Sequence, residues 1–252
     1  MKIAVAGGTG TVGRHIVDAA RGRGHDAVVL ARSTGVDLTT GAGLAPALVG
    51  VDVVVDAASV GTQSATVSRA FFGGVTTNLL AASQTAGVRH HLALSIVGSD
   101  RAPFGYYAGK ALQEQAVTAG PVPWTILRAT QFHEFAQQIY GQVTLGPITL
   151  VPRMLSQPVA AREVAARLVD LAEAGPSGHA TDLAGPEELR MADMVRAYAS
   201  ATGGRGRIAE VPLPGGFGRA LRDGTILAGP AADRGTQTFA EWIAQLPRVT
   251  DS

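Results

Sequence analysis

The chain has 252 residues, 46% apolar and 16% charged, with a formal net charge of +1 and no cysteine. Without cysteine there are no disulfides, thiolate metal sites or thiol chemistry. A near-neutral charge with no basic block gives no electrostatic case for nucleic acid, and no apolar run approaches the ~18 residues of a membrane helix. These properties fit a cytoplasmic α/β protein of one domain or two small ones, with no leader before a first strand that begins at Lys2.

In chain order, residues 2–6 form an apolar strand that leads into Gly7, Gly8, Gly10 and Gly13, with Thr9, Thr11 and Val12 interleaved. An amphipathic helix is expected over residues 11–21. Strand, glycine turn and helix in this order are what a dinucleotide pyrophosphate requires. Gly8 is assigned the tight turn, Gly10 the close approach of the phosphates and Gly13 the packing of helix on strand, while the helix N-terminus faces the anion.

The next strand, residues 27–31, ends in Arg32 and Ser33, where NAD binders usually carry an acidic residue for the ribose 2′-hydroxyl. A guanidinium there meets a 2′-phosphate bidentately, so the pattern favours NADP(H). Arg14 reads either as a further phosphate contact or as an exposed helix residue. Asp37 reads either as an acceptor for the adenine amino group or as a turn residue.

A very short strand is expected at 35–38 and a helix at 42–49. The strand 51–57 leads to Ala57, Ala58 and Ser59, expected to line the cofactor cleft. A helix over 65–86, a strand at 92–97, a helix over 106–119 and a strand at 125–129 complete a Rossmann-like, doubly wound parallel sheet over residues 1–147. Residues 148–252 read as a smaller C-terminal substrate-binding lobe packed on that core. It has extended pieces at 148–151, 180–184 and 208–213 and helices at 161–174, 191–202 and 238–245. The lobe is expected to close over the C-terminal edge of the sheet, where ligands of open α/β folds sit.

Tyr106 and Lys110 stand four residues apart on one helix, hence on one face, and Ser95 ends a strand. Together they suit carbonyl reduction: the tyrosine donates a proton, the lysine supports its phenolate and holds the cofactor ribose, and the serine orients the carbonyl. Tyr107 competes with Tyr106 for that face, and Lys110 is equally spaced for an ion pair with Glu114. Gln131, Phe132 and His133 follow a strand and are assigned to the substrate; a lone loop histidine is more often solvated than catalytic. Arg128 is read as the partner of a structural carboxylate. Adjacent His90 and His91 face opposite ways on a strand, and no metal is expected.

The segments Gly7 to Gly13 with Arg32, Thr77 to Gly98, Tyr106 to Glu114 and Trp124 to Phe132 resemble the atypical short-chain dehydrogenase/reductases. Within these the chain is most similar to the NmrA-like group, which includes NAD(P)H-quinone reductases and isoflavone reductase relatives. The similarity covers most of residues 1–175. It implies an NADP-binding Rossmann fold and maps Ser95, Tyr106 and Lys110 onto active-site positions. The glycine motif is the atypical form, and many atypical members lack the tyrosine.

Residues and resemblance together point to NADP(H)-dependent reduction of a small carbonyl or quinone by a monomer or homodimer that needs neither nucleic acid nor membrane. The alternatives are a cofactor-sensing regulator without turnover and a non-redox isomerase or cyclase on the same fold.

Overall fold

The structure, a computed structural model, describes residues 1–142, 144–145, 147–204 and 206–247. The elements run β1 (Lys2–Ala6), α1 (Gly13–Gly22), β2 (Asp26–Leu30), a 3-10 turn (Arg32–Thr34), α2 (Leu44–Ala47), β3 (Val53–Asp56), α3 (Ala65–Ala86), β4 (His90–Ile96), α4 (Tyr106–Thr118) and β5 (Trp124–Ala129). Then follow α5 (Phe135–Gln142), β6 (Thr144–Leu145), β7 (Ile148–Pro152), β8 (Leu155–Ser156), α6 (Ala161–Ala174), β9 (Gly178–His179), β10 (Leu183–Ala184) and β11 (Leu189–Arg190). Last come α7 (Met191–Ala201), β12 (Arg207–Val211), α8 (Gly215–Arg222), β13 (Asp233–Arg234) and α9 (Phe239–Ala244).

The chain divides into two compact units, one built from Met1–Ala129 and Ala161–Thr181, the other from Thr130–Ala160 and the residues from Asp182 on. In the first unit the strands stand side by side in the order β5, β4, β3, β1, β2, all parallel, and β9 pairs with β5. Val, Ile, Leu and Ala fill these strands because helices cover both faces: α1 and α6 pack together on one, α3 and α4 on the other. Ile3, Leu30, Val54, Leu79 and Leu92 are fully buried between them. The chain steps from β1 to β2 in one direction and to β3 in the other. The crevice at the C-terminal ends of β1 and β3 is therefore the switch point at which such sheets bind ligands.

Helix α6, grouped by sequence with the C-terminal part, belongs to the first unit and lies against α1, where Arg23 bonds Asp170 and Glu173. The strand expected at 35–38 is not formed. Gly35 takes φ +82°, and the amides of Val36 and Asp37 turn back to the carbonyls of Ala31 and Ala42, so the segment folds on itself. The helix expected at 42–49 shortens to Leu44–Ala47 for the same reason, since Gly41 and Gly43 both carry positive φ.

The second unit holds a small sheet in which β7 pairs parallel with β12 and antiparallel with β6, with α7 packed on it. His133, Phe239, Trp242 and Tyr198 form a run of neighbouring rings inside this unit. Helices α5 and α8 have no counterpart in the sequence reading.

Candidate active site

The loop after β1 is shaped by what its glycines exclude. The left-handed residue is Gly7, at φ +72°, and not Gly8 as the sequence spacing suggested. A side chain at Gly7 would lie 2.9 Å from the Ala57 carbonyl oxygen and the Ala58 Cα, so the loops after β1 and β3 touch through this residue. A Cβ on Gly13 would collide with the Gly7 carbonyl oxygen, which is the close helix packing expected of it. Among the described residues, the backbone N–H groups of Thr11, Val12 and Gly13 have no backbone acceptor. They sit at the positive end of α1, and no side chain intrudes at Gly10. This cradle fits a pyrophosphate by the donors it leaves open and the volume it leaves empty.

At the end of β2, Arg32 and Ser33 are exposed. Arg32 takes part in no ion pair among the described residues. Asp37 accepts from the Thr39 amide (2.8 Å) and hydroxyl (2.6 Å), and these bonds hold its carboxyl below the usual range. Asn78, on α3, donates to the carbonyls of Leu38 and Thr39, which pins this loop against the unit.

Tyr106 opens α4, and its hydroxyl lies 3.0 Å from the Ser59 hydroxyl. Helices α3 and α4 approach closely because Gly109 carries no side chain. A Cβ there would meet the Phe72 ring at 2.6 Å and collide with the Ser68 hydroxyl. That contact leaves Ser68 free to donate to the Tyr106 carbonyl at 2.7 Å and brings Phe72 edge-on to the Tyr106 ring. Burial pushes the Tyr106 hydroxyl up to about 12; the Ser59 hydrogen bond opposes the rise and the Asp56 carboxylate adds to it. Tyr107 is buried, its ring edge-on to that of Tyr106 at 6.5 Å.

Lys110, one turn along, is buried with its ammonium 4.2 Å from the Phe72 ring centre. It donates to the Leu94 carbonyl (2.8 Å) and to Gln113 Oε1 (2.9 Å), and Gln113 Nε2 donates to Asp56 Oδ2 (2.7 Å). Burial pushes Lys110 down to about 8, against the carboxylates of Asp56 and Glu114, which favour its charge.

Glu114 does not pair with Lys110. It accepts from Ser95 Oγ (2.5 Å), Ser99 Oγ (2.9 Å) and both Arg128 Nε (3.0 Å) and Nη2 (2.6 Å), while Arg128 Nη1 reaches Asp100. Burial raises the Glu114 carboxyl, but these donors together hold it below its ordinary value. Arg128 thus has the carboxylate partner expected of it. Ser95 of β4 donates its proton to Glu114, one helical turn beyond Lys110, and the hydroxyl beside Tyr106 is that of Ser59.

In the second unit, Gln131 accepts from Ser156 at 2.8 Å, Phe132 bridges to Val159, and His133 is fully buried, so it is not the solvated loop residue anticipated. His133 Nε2 lies 3.2 Å from the Gln237 carbonyl oxygen, and its ring packs on Phe239 and Trp242. His90 is bonded to Thr125 and pushed by burial to about 4. Among the described residues no cluster of histidines and carboxylates suits a metal ion, and no helix is long and apolar enough to cross a membrane.

Residues 7–174 match the family model for NAD(P)H-binding proteins. The chain belongs to this NAD(P)H-binding family. A curated relative, the photosystem II assembly factor Ycf39 of Synechocystis sp., is 31% identical over 161 residues, which is 58% of this chain. The match takes in 48% of the relative, so the chain spans about half the length of the curated protein it matches.

Two solved structures share the fold of this NAD(P)H-binding chain. An NADPH-dependent quinone oxidoreductase from Escherichia coli superposes with TM-score 0.64 at 17% identity, over 96% of this chain and 98% of that one. A UDP-glucose 4-epimerase from Stenotrophomonas maltophila, solved with NAD, gives TM-score 0.69 at 17% identity over 97% and 96%.

Several residues at the centre of the site went unrecognised in the sequence. Gln113 follows Lys110 by three positions on the same helix face, and Asp56 is the lone acid closing an apolar strand, so both left a signal. Gly109, between Tyr106 and Lys110, left none beyond its identity.

Proposed function

We propose that this chain is an NADP(H)-dependent oxidoreductase that reduces a small carbonyl or quinone compound, with Tyr106 as the proton donor. The observation that carries the reading is the 3.0 Å hydrogen bond between the hydroxyls of Tyr106 and Ser59, the latter on the segment that abuts the glycine turn. Gly7, Gly8, Thr9, Gly10, Thr11, Val12 and Gly13 would hold the pyrophosphate, Arg32 and Ser33 the 2′-phosphate, and Asp37 with Ala57, Ala58 and Ser59 the flanks of the cofactor. Bound NADPH would supply the hydride that the reduction needs.

The residues supply the rest. Tyr106 gives its proton to the substrate oxygen, and Ser59 then donates to the phenolate left behind. The buried Lys110 ammonium lies over the Phe72 ring that meets Tyr106 edge-on, and would favour that negative charge. Burial opposes ionisation of the phenol, so the proton leaves only for an oxygen turning strongly basic, as an alkoxide or a quinol anion does. Ser95 enters this scheme through Glu114 rather than through the substrate.

The test is NADPH oxidation against a panel of quinones and ketones. Tyr106→Phe is expected to lower kcat by about 10²–10⁴-fold with NADPH affinity unchanged, whereas Tyr107→Phe leaves turnover in place. Full turnover in Tyr106→Phe overturns the assignment.

One observation favours a second reading, a cofactor-sensing regulator: Lys110 bonds Leu94 and Gln113 rather than the Tyr106 hydroxyl. Its signature is NADPH binding without oxidation across the whole panel, unaffected by Tyr106→Phe.

A further inference from the structure

The chain contains two lysines, Lys2 and Lys110, against nineteen arginines. Lys2 reaches the Val49 carbonyl at an exposed position, so Lys110 alone of the two is buried. A buried ammonium is costly unless its protons and its charge are both answered. Lys110 has three protons to place. One goes to Leu94, one goes to Gln113 Oε1, and the Phe72 face lies under the charge.

The bond to Gln113 has a direction. Its carbonyl faces the lysine and its amide NH₂ faces Asp56, whose other oxygen accepts from the Ala58 amide at 3.1 Å. A reversed amide would set its NH₂ against the ammonium and its oxygen against the carboxylate, so the two charges at the ends fix this side chain. Every member of the line Lys110, Gln113, Asp56 is buried, and Asp56 and Gln113 are fully so. The Asp56 end continues through Ala57 and Ala58 to Ser59, the residue bonded to Tyr106.

We infer that Gln113 and Asp56 are positioning residues that hold the Lys110 side chain in place and in its charged form beneath the Tyr106 centre. The inference rests on the functional reading above for its catalytic meaning, but not for its test.

Among the described residues, two carboxylates bear on the Lys110 charge. From β3 comes Asp56. From β4 comes the Leu94 carbonyl; His91 of the same strand, lowered by burial, is coupled to Asp56. Phe72 of α3 lies under the ammonium, and Glu114 of α4, paired with Arg128 of β5, is the second carboxylate that bears on it. Asp56, linked through Gln113, is thus the carboxylate whose influence substitution at Gln113 alters most directly.

With only two lysines, selective ¹³Cε-lysine labelling gives two NMR signals, and Lys2→Arg assigns them. No substrate or cofactor is present. In Gln113→Met, which keeps the length and removes both polar ends, the Lys110 titration midpoint should fall by about one pH unit relative to wild type. In Gln113→Glu, which sets a carboxyl beside the amine, it should rise. If Gln113→Met fails to fold, Asp56→Asn takes its place with the same downward shift required.

The fall in Gln113→Met supports the proposal, and the rise in Gln113→Glu shows that the Lys110 signal answers to this position. Midpoints that stay put, or that move the same way in both, overturn it. In the turnover assay the alkaline limb of kcat should follow these midpoints. Titrations as expected in a protein without turnover would sink the oxidoreductase reading alone; turnover with unmoved midpoints would sink this inference alone.

Discussion

Replacing Ser95 by alanine separates two roles that the same hydroxyl was able to fill. Ser95 Oγ donates to Glu114 Oε1 at 2.5 Å in a buried setting, a hydrogen bond to a charged acceptor. Such bonds contribute about 1.5–3 kcal/mol. Glu114 retains Ser99 and two donors from Arg128 in the variant, so the low end applies and the cost is about 1.5 kcal/mol. In a chain of this size, at 2–4 °C per kcal/mol, that lowers Tm by about 3–6 °C.

A donor that oriented the substrate carbonyl would instead be missed in the rate, by about 10²–10³-fold in kcat. Thermal unfolding followed by circular dichroism, with NADPH oxidation measured on the same preparation, reads both quantities. The expected result is a lowered Tm with kcat within a few-fold of wild type. An unchanged Tm together with a hundredfold loss of kcat would show that the serine leaves Glu114 during turnover, and the reasoning from this cluster would fail.

Arg32→Ala should weaken NADPH binding by about 10–100-fold and leave NADH binding unchanged, since one charge-assisted phosphate contact is removed; fluorescence titration with both coenzymes checks it. Glu114 is held below its ordinary value by its donors, so its contribution to stability is complete above about pH 4.3 and disappears as pH falls through the lower folded value. Glu114→Gln should therefore be less stable at neutral pH and lose less further stability on acidification, as urea melts at several pH values would show. Gly109→Ala forces a methyl into the Phe72 ring and the Ser68 hydroxyl, and is expected to destabilise by about 1–3 kcal/mol while lowering turnover, because Tyr106 and Lys110 flank it. A neutral effect in a chemical-denaturation series would mean that α3 and α4 can separate freely.

Much of the first unit was legible because its signals are local. Strands buried on both faces read as short runs of Val, Ile, Leu and Ala, and helix α3 spans the residues its periodicity indicated. The glycine loop was recognisable, although the residue that takes the positive φ is Gly7, chosen by contact with Ala57 and Ala58, which spacing does not report.

Ser95 could be put on a strand end by sequence, but its hydrogen-bond partner depends on how far along α4 it sits, a matter of register between elements. The segment at 35–38 has apolar residues yet turns back, because Gly35, Gly41 and Gly43 favour a folded loop over pairing. Helix α8 starts with two glycines after Pro214, against helix propensity, and is held by packing: a Cβ on Gly218 would strike the Leu213 carbonyl. The membership of α6 in the first unit comes from its contact with α1, which lies far away in sequence.

The scarcity of lysine has a practical side. Lys2 sits at the N-terminal end of β1, beside the Met1 amine, whereas the glycine loop leaves the opposite end of that strand. Of the two lysine side chains, acylating reagents, surface-coupling esters and amine-directed cross-linkers will thus take Lys2 and spare the buried Lys110. Immobilised through Lys2, the first unit is held at the N-terminal end of β1, the end of that strand opposite the glycine loop.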